Sequence, residues 1–492
     1  MGGGMHAYYY IFGVAEPTFR CRLPLNIWPD EDKYQFINNT HQLLIETWIS
    51  STSKCDTING SKCTDFVYDR SVFGRTFTED ANFVCTNAVK RTWLATVFQI
   101  GACSTLINGP LSDKIGRRKM IQLLTTTLFI IPATILVFIQ FIHMTINVKF
   151  GLLLVNQFVS SIIAYGLVFL LLMELTSSSH TSFAGNLALI AYTFGEIVAA
   201  LFAYGARNWL NHKWFNSGYI GCMLFYLYFV PESPYWLFNK KKYAQLEVCL
   251  RNIAKINKRE NTEWFQLYRQ LIRDSSIQMK TTIKPKKKNI RRILIRLCIS
   301  GLIAFVTMLL YIKISYGLGA MNKNLSPHWS IVIGAIVEGI GYISASFLIT
   351  TRLGRKYTLM IFALFTSLCV LTIPFIKENY PIVTIVISQM GKLTISGAVS
   401  ASWVYVPELF PTSIRGLSNS IFVFTGRLGA ILAPIVDAAL GDKYIKLTFY
   451  IYSGITFIMI GIVTILPETR NRSFNDNNEN NNRIAAEQSE VQ

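Results

Sequence analysis

Uncharged apolar runs close to twenty residues long recur along this 492-residue chain, and they constrain its fold more than any other feature. A helix of about 20 apolar residues spans the hydrocarbon of a bilayer with every backbone group satisfied internally. The runs lie at roughly 93–111, 120–143, 149–173, 183–205 and 215–230, and again at roughly 293–312, 329–350, 357–376, 381–404, 418–437 and 447–466. Met5–Val14 is apolar too, but only about half the length of a span and without a basic n-region. It reads as the outer half of a first helix whose cytoplasmic half is absent. With 51% hydrophobic and only 15% charged residues, an ordinary soluble globule is excluded.

The charge is placed as a membrane protein needs it. The formal net charge is +19. About sixteen Lys and Arg fall between Asn239 and Arg292 against about four acids, as the positive-inside bias requires of a cytoplasmic loop. Because these bases lie between spans and not on a compact basic domain, nucleic acid is not an expected partner. Leu246, Leu250 and Ile253 share a helical face, as do Trp264, Tyr268 and Leu271, which predicts short helices lying against that side of the bundle. The run Lys284–Lys288 is solvated, with some attraction for anionic lipid. The asparagine-rich tail after Arg470 lacks the apolar residues of a core.

Four cysteines, Cys21, Cys55, Cys63 and Cys85, sit in one polar segment, which predicts two disulfides in any of three pairings. Asn38 and Asn59 in that segment head N-x-S/T acceptor sites, and Asn324 heads another on the same predicted outer side. The six histidines are not at metal-ligand spacing and no phosphate-binding loop is present. No enzyme constellation, metal or cofactor is expected.

The turn Gly109–Lys119, GPLSDKIGRRK, packs Asp113, Lys114, Arg117, Arg118 and Lys119 between two apolar runs. A related turn, Thr351-Arg352-Leu353-Gly354-Arg355-Lys356, stands at an equivalent place in the second half, so the chain reads as two similar halves. Further motifs follow the spans: Pro231-Glu232-Ser233-Pro234-Tyr235-Trp236-Leu237, Glu408-Leu409-Phe410-Pro411-Thr412-Ser413-Ile414-Arg415, and Pro467-Glu468-Thr469. Over about Gly4 to Phe474 these pieces resemble the organic cation/anion/carnitine transporter family of the major facilitator superfamily. Two of the motifs also fit sugar porters; the cysteine segment and ELFPTSIR favour the organic-ion family.

The resemblance implies an all-α polytopic membrane protein with the major facilitator fold: two six-helix bundles related by a pseudo-two-fold, the first helix shortened. It divides the chain into a partial first helix (1–14), an extracellular disulfide-bearing glycosylated loop (15–92), helices 2–6 (93–230), a basic cytoplasmic loop (231–292), helices 7–12 (293–466) and a disordered cytoplasmic tail (467–492). It implies a multi-pass protein of the plasma membrane moving small organic ions by alternating access, with a coupling or exchange ion as a further partner. Gating is expected from Gly109, Asp113, Gly116, Arg117, Arg118, Glu174, Glu232, Arg352, Arg355, Glu408 and Arg415, with bases facing carboxylates across the half interface. Departures are Thr351 where the second turn usually has Asp, Tyr235 in place of Arg, and Asn156 and Thr181 where the family carries Arg; together they predict altered gating or reduced activity, and the acid lost at Thr351 predicts unequal gates, with Asp113 the more important.

Ionisable side chains inside a span cost several kcal/mol unless paired or facing water, which makes Glu196, Glu338, Lys392 and Arg427 site candidates. By resemblance, Arg427 stands where cation transporters carry Asp and anion or carnitine-type relatives carry Arg. A guanidinium suits a carboxylate or sulfate, so organic anions or zwitterions are the expected substrates. Lys392 matches a basic family position, and Tyr165, Tyr192, Tyr311 and Tyr342 are expected to line the same cavity. Tyr8–Tyr10 join it only if the short first helix inserts. An organic cation uniporter, a sugar porter-like facilitator, and a transport-inactive relative or truncated isoform stay open.

Overall fold

The computed structural model describes residues 1–24, 26–28, 32–49, 54–58, 60–162, 165–176, 181–259, 264–278, 290–321, 326–376, 380–410, 414–440 and 445–469. Helix α1 (Gly2–Gly13) leads into a polar segment holding an antiparallel pair, β1 (Phe19–Cys21) with β2 (Phe66–Tyr68), and the short helices α2 (Asn39–Trp48) and α3 (Phe77–Asp80). Cys21 is bonded to Cys63 and Cys55 to Cys85, one of the three pairings the sequence leaves open. Asn38 caps α2, its side chain accepting from the His41 amide at 2.7 Å; Asn59 and Asn324 lie outside the described residues.

The apolar runs then follow as helices. These are α4 (Ala88–Ala102), α5 (Thr105–Ile115), α6 (Arg117–Phe141), α7 (Ile146–Ser161), α8 (Tyr165–Leu175), α9 (Thr181–Ala206) and α10 (Trp209–Phe229). On the basic face lie α11 (Pro234–Asn239), α12 (Tyr243–Ile256) and α13 (Trp264–Gln278), where Trp236, Leu246 and Tyr268 share one small apolar cluster. The second half comprises α14 (Ile290–Met321), α15 (Pro327–Thr350), α16 (Gly354–Ile376), α17 (Pro381–Glu408), α18 (Arg415–Leu440) and α19 (Ile445–Val463). Among the described residues ten helical spans are long and apolar enough to cross a membrane.

Two elements depart from the apolar runs. The expected span at 93–111 is interrupted at Cys103–Ser104, and Pro110 just beyond withdraws an amide from the helical ladder. Helix α10 begins at Trp209, six residues before the expected 215, because its polar first turns face inward. His212, Lys213, Asn216 and Ser217 are all buried, and the Lys213 ammonium donates to Asn156 Oδ1 at 2.8 Å and Gln157 Oε1 at 2.7 Å and sits 4.1 Å from the centre of the Tyr9 ring. Asn156, where a family arginine was expected, thus receives its cation from a neighbouring helix.

The packing repeats between halves. In the first, α1 packs on α9, α4 on α7, and α6 on α7 and α10; in the second, α14 packs on α18, α15 on α17, and α16 on α17 and α19. The halves meet along α9 with α15 and along α4–α5 with α18, which are equivalent contacts under the same two-fold. The architecture is all-α, polytopic and two-fold repeated. Close approach fixes the register: a Cβ on Gly341 of α15 would collide with the Leu393 carbonyl of α17, one residue from Lys392.

The disulfide segment has its own buried polar centre. Asp32 accepts from Arg20 Nη1 at 3.0 Å and Nη2 at 2.5 Å, from the Leu23 amide at 2.9 Å, and sits 3.0 Å from His41 Nε2. Burial pushes the Asp32 carboxyl up, but the bonds from Arg20, Leu23 and His41 outweigh it and hold it below the usual carboxylate range. A depressed pKa contributes stability that is present above the unfolded value of about 3.9 and is lost as pH falls through the folded value. Hydrogen-exchange protection of the Leu23 amide should therefore drop on acidification, and Asp32→Asn should lose protection already at neutral pH. Equal protection in variant and wild type at neutral pH would remove Asp32 as the organiser.

Candidate functional site

A central cavity is walled by α1, α4, α5, α7, α8, α9, α14, α15, α17 and α18, while among the described residues the peripheral helices α6, α10, α16 and α19 contribute nothing to it. Four of the expected residues line it: Tyr192, Tyr311, Tyr342 and Arg427. Tyr165 begins α8 next to the lining Gly166, but its side chain lies outside the described residues. Phe98, Gln99 and Trp403 also line the wall and were not anticipated. Only an inward-facing glutamine in an apolar helix, Gln99, carried a readable signal.

Helix α1 does insert. Gly4 lies so close to the Tyr192 carbonyl of α9 that any Cβ there would collide with it, and Tyr8 reaches the cavity wall. The half-buried Arg427 guanidinium donates to Gln99 Oε1 at 3.3 Å, across the interface between the halves. Among the described residues it has no carboxylate partner. An ion-pairing group on a cavity wall, held only by a neutral amide, keeps donors to offer a ligand.

The other three charges differ from expectation in place. Lys392, Glu196 and Glu338 are fully buried and do not line the cavity. Lys392 Nζ lies 3.0 Å from Glu338 Oε2 and 3.5 Å from Glu196 Oε2, and donates to the Tyr8 hydroxyl at 3.1 Å. The Tyr311 hydroxyl reaches Glu338 Oε1 at 2.9 Å and Glu196 Oε1 at 3.3 Å, and Tyr342 donates to Glu338 Oε1 at 2.7 Å. Tyr8, Tyr311 and Tyr342 thus turn rings to the cavity and hydroxyls to the charges behind it. Burial favours pairing of these groups with one another because each is costly alone in hydrocarbon.

On the basic face the gating candidates form two matching networks. In the first half Glu232 accepts from the Arg118 amide at 3.0 Å, Arg117 pairs with Asp113 and lies 3.5 Å from Glu174, and the Trp236 indole donates to the Asp113 carbonyl at 2.9 Å. In the second, Glu468 accepts from the Arg355 and Lys356 amides, each at 3.0 Å, and Arg355 lies 3.0 Å from Glu408. Each capping glutamate satisfies free amides at the positive end of a long helix, α6 or α16. The preceding glycines, Gly116 at φ 118° and Gly354 at φ 77°, leave room for the carboxylates.

These acid–base pairs lie within each half and do not cross between halves as expected, because the free amides that attract the acids belong to the same bundle. What meets across the interface here is packing: a Cβ on Gly109 of α5 would clash with the Ser420 hydroxyl of α18, and the Asp113 carboxylate lies beside Gly416. Thr351 bonds its own helix end at Leu348, Arg352 is exposed, and the Arg415 side chain lies outside the described residues.

A family model described as sugar (and other) transporter matches residues 36–480. Solute carrier family 22 member 4 of Mus musculus is 28% identical over 411 residues, covering 82% of this chain and 71% of that protein. Organic cation/carnitine transporter 2 of Mus musculus is 28% identical over 415 residues, covering 82% and 71%. Among solved structures, a proton:xylose symporter of the major facilitator superfamily aligns with a TM-score of 0.67 at 16% identity, covering 96% of this chain and 95% of that one.

Proposed function

The chain belongs to the sugar (and other) transporter family of the major facilitator superfamily, a multi-pass membrane transporter and not an enzyme, and from that footing we propose that it carries small organic anions or zwitterions by alternating access. Arg427 carries this reading: a cavity-wall guanidinium whose described partner is the neutral Gln99. It offers planar, paired donors for a carboxylate or sulfonate. The tyrosine faces of Tyr8, Tyr192, Tyr311 and Tyr342 supply apolar walls and cation–π surface. A carnitine-like zwitterion uses both ends of such a cavity. That accords with the name of one relative, organic cation/carnitine transporter 2 of Mus musculus.

In this reading the two halves rock about the α9–α15 and α4–α5–α18 contacts. The basic segment 231–292 and the tail 467–492 face the cytoplasm, the segment 15–92 faces outward, and the plasma membrane is the site of action. Asp113 and Arg117 steady the basic-face gate through the α5–α18 packing. Asp113→Asn should lower the transport rate several-fold in protein that reaches the membrane; an unchanged rate would remove Asp113 from the gate.

The test is uptake by the reconstituted protein of a labelled aryl sulfonate, a labelled carnitine-like betaine and a labelled hexose, with membrane potential clamped. Saturable uptake of the sulfonate or betaine without the hexose is expected. Uptake of the hexose alone would place the chain with the sugar porters.

A further inference from the structure

We infer that Glu196, Glu338 and Lys392 form a proton-carrying site that loads one proton in each transport cycle. The charges do not balance: two carboxylates meet one ammonium, all fully buried. An unneutralised carboxylate in such a place costs several kcal/mol, and carboxylates sharing one site resist ionising together. One added proton, taken from water to form an O–H bond on either carboxylate, brings the cluster to neutrality. Of the two carboxylates Glu196 is the more loosely held, its Oε2 3.5 Å from the Lys392 ammonium against 3.0 Å for Glu338 Oε2.

The neighbours favour a proton over other cations. The Lys392 ammonium already occupies the cation position between the carboxylates, and among the described residues no group of acids, histidines or cysteines could hold a metal ion. The rings of Tyr8, Tyr311 and Tyr342 stand between the carboxylates and the cavity, so a substrate ammonium meets ring faces while their hydroxyls form the bonded path inward. The groups facing the site are Tyr8 from α1, Tyr192 from α9, Tyr311 and Ser315 from α14, Tyr342 from α15 and Lys392 from α17, with Arg427 of α18 across the cavity. Among the described residues Lys392 is the one cation within bonding distance of the carboxylates.

The location supplies the coupling. Glu196 lies in the first half, and Glu338 and Lys392 in the second, on α9, α15 and α17. Any rocking of the halves must stretch or reform this contact. A neutral, proton-loaded cluster with an anion on Arg427 can reorient; an ionised cluster is held by its excess charge. The result is symport of a proton with the anion. This inference rests on the alternating-access reading above for its cycle, and its test separates the two.

Proteoliposomes containing the purified full chain would be given labelled benzenesulfonate, which stays ionised on both sides and cannot cross lipid as its acid, at clamped potential. An inward proton gradient should raise the initial uptake rate several-fold, and in Glu338→Gln the ratio of rates with and without the gradient should fall to one whatever the absolute rate. Wild-type uptake indifferent to the gradient would overturn the proposal while leaving the transporter reading intact. If benzenesulfonate is not carried, infrared difference spectra decide the matter without transport. A protonated buried carboxyl band present in wild type and absent from the Glu196→Gln, Glu338→Gln double variant supports the site; its absence from wild type refutes it.

Discussion

Lys392→Met should cost about 3–5 kcal/mol of stability, the range for breaking a buried ion pair and leaving its partner uncompensated. Here the loss is larger in kind than a single pair, because one ammonium serves both Glu196 and Glu338 at zero exposure. Methionine matches the length of the lysine stem, so the change removes charge with little change of volume. The expected observation is a collapse in the yield of monodisperse protein and a lower melting temperature. Adding Glu196→Gln and Glu338→Gln to the same chain should restore much of both, since no unpaired charge then remains. A Lys392→Met protein that melts like wild type would show that the cluster is not held by this charge.

Arg427→Ala should raise the half-saturating concentration of an organic anion about ten- to a hundredfold, as expected from losing charged hydrogen bonds of about 1.5–3 kcal/mol. Arg427→Lys should recover part of the loss, because a lysine keeps the charge but not the planar fork. The loss should appear as weaker apparent affinity with protein that folds normally: Arg427 is half-buried on a cavity wall and its described partner is neutral. An alanine variant with wild-type affinity for anions would place the recognition elsewhere.

The two-fold repeat and the basic-face turns were legible because they are written locally. Gly116 and Gly354, and the acids Glu232 and Glu468 that cap α6 and α16, recur at matching places in the two halves, and a capped helix start needs only those residue types. The intramembrane charges were legible as candidates from their cost in hydrocarbon. Which of them face the ligand was not. Whether a side chain meets the cavity or the gap behind it depends on helix rotation, and that is set by close approaches such as Gly341 on α17 and Gly4 on α9. Tyr8 and Lys392, bonded at a separation of 384 residues, have no spacing that could announce the contact. Lys213 was missed for a simpler reason: the expected start of its span at 215 placed it in a loop, whereas its amide acceptors on α7 draw it into the bundle.

The central claim is that this cavity selects for negative charge through Arg427. It is tested most directly by comparing two probes of equal size and opposite fixed charge, benzenesulfonate and phenyltrimethylammonium, at zero membrane potential in liposomes containing the wild-type chain. Saturable uptake of the sulfonate, exceeding that of the ammonium, is predicted. Saturable uptake of the ammonium with none of the sulfonate would contradict it.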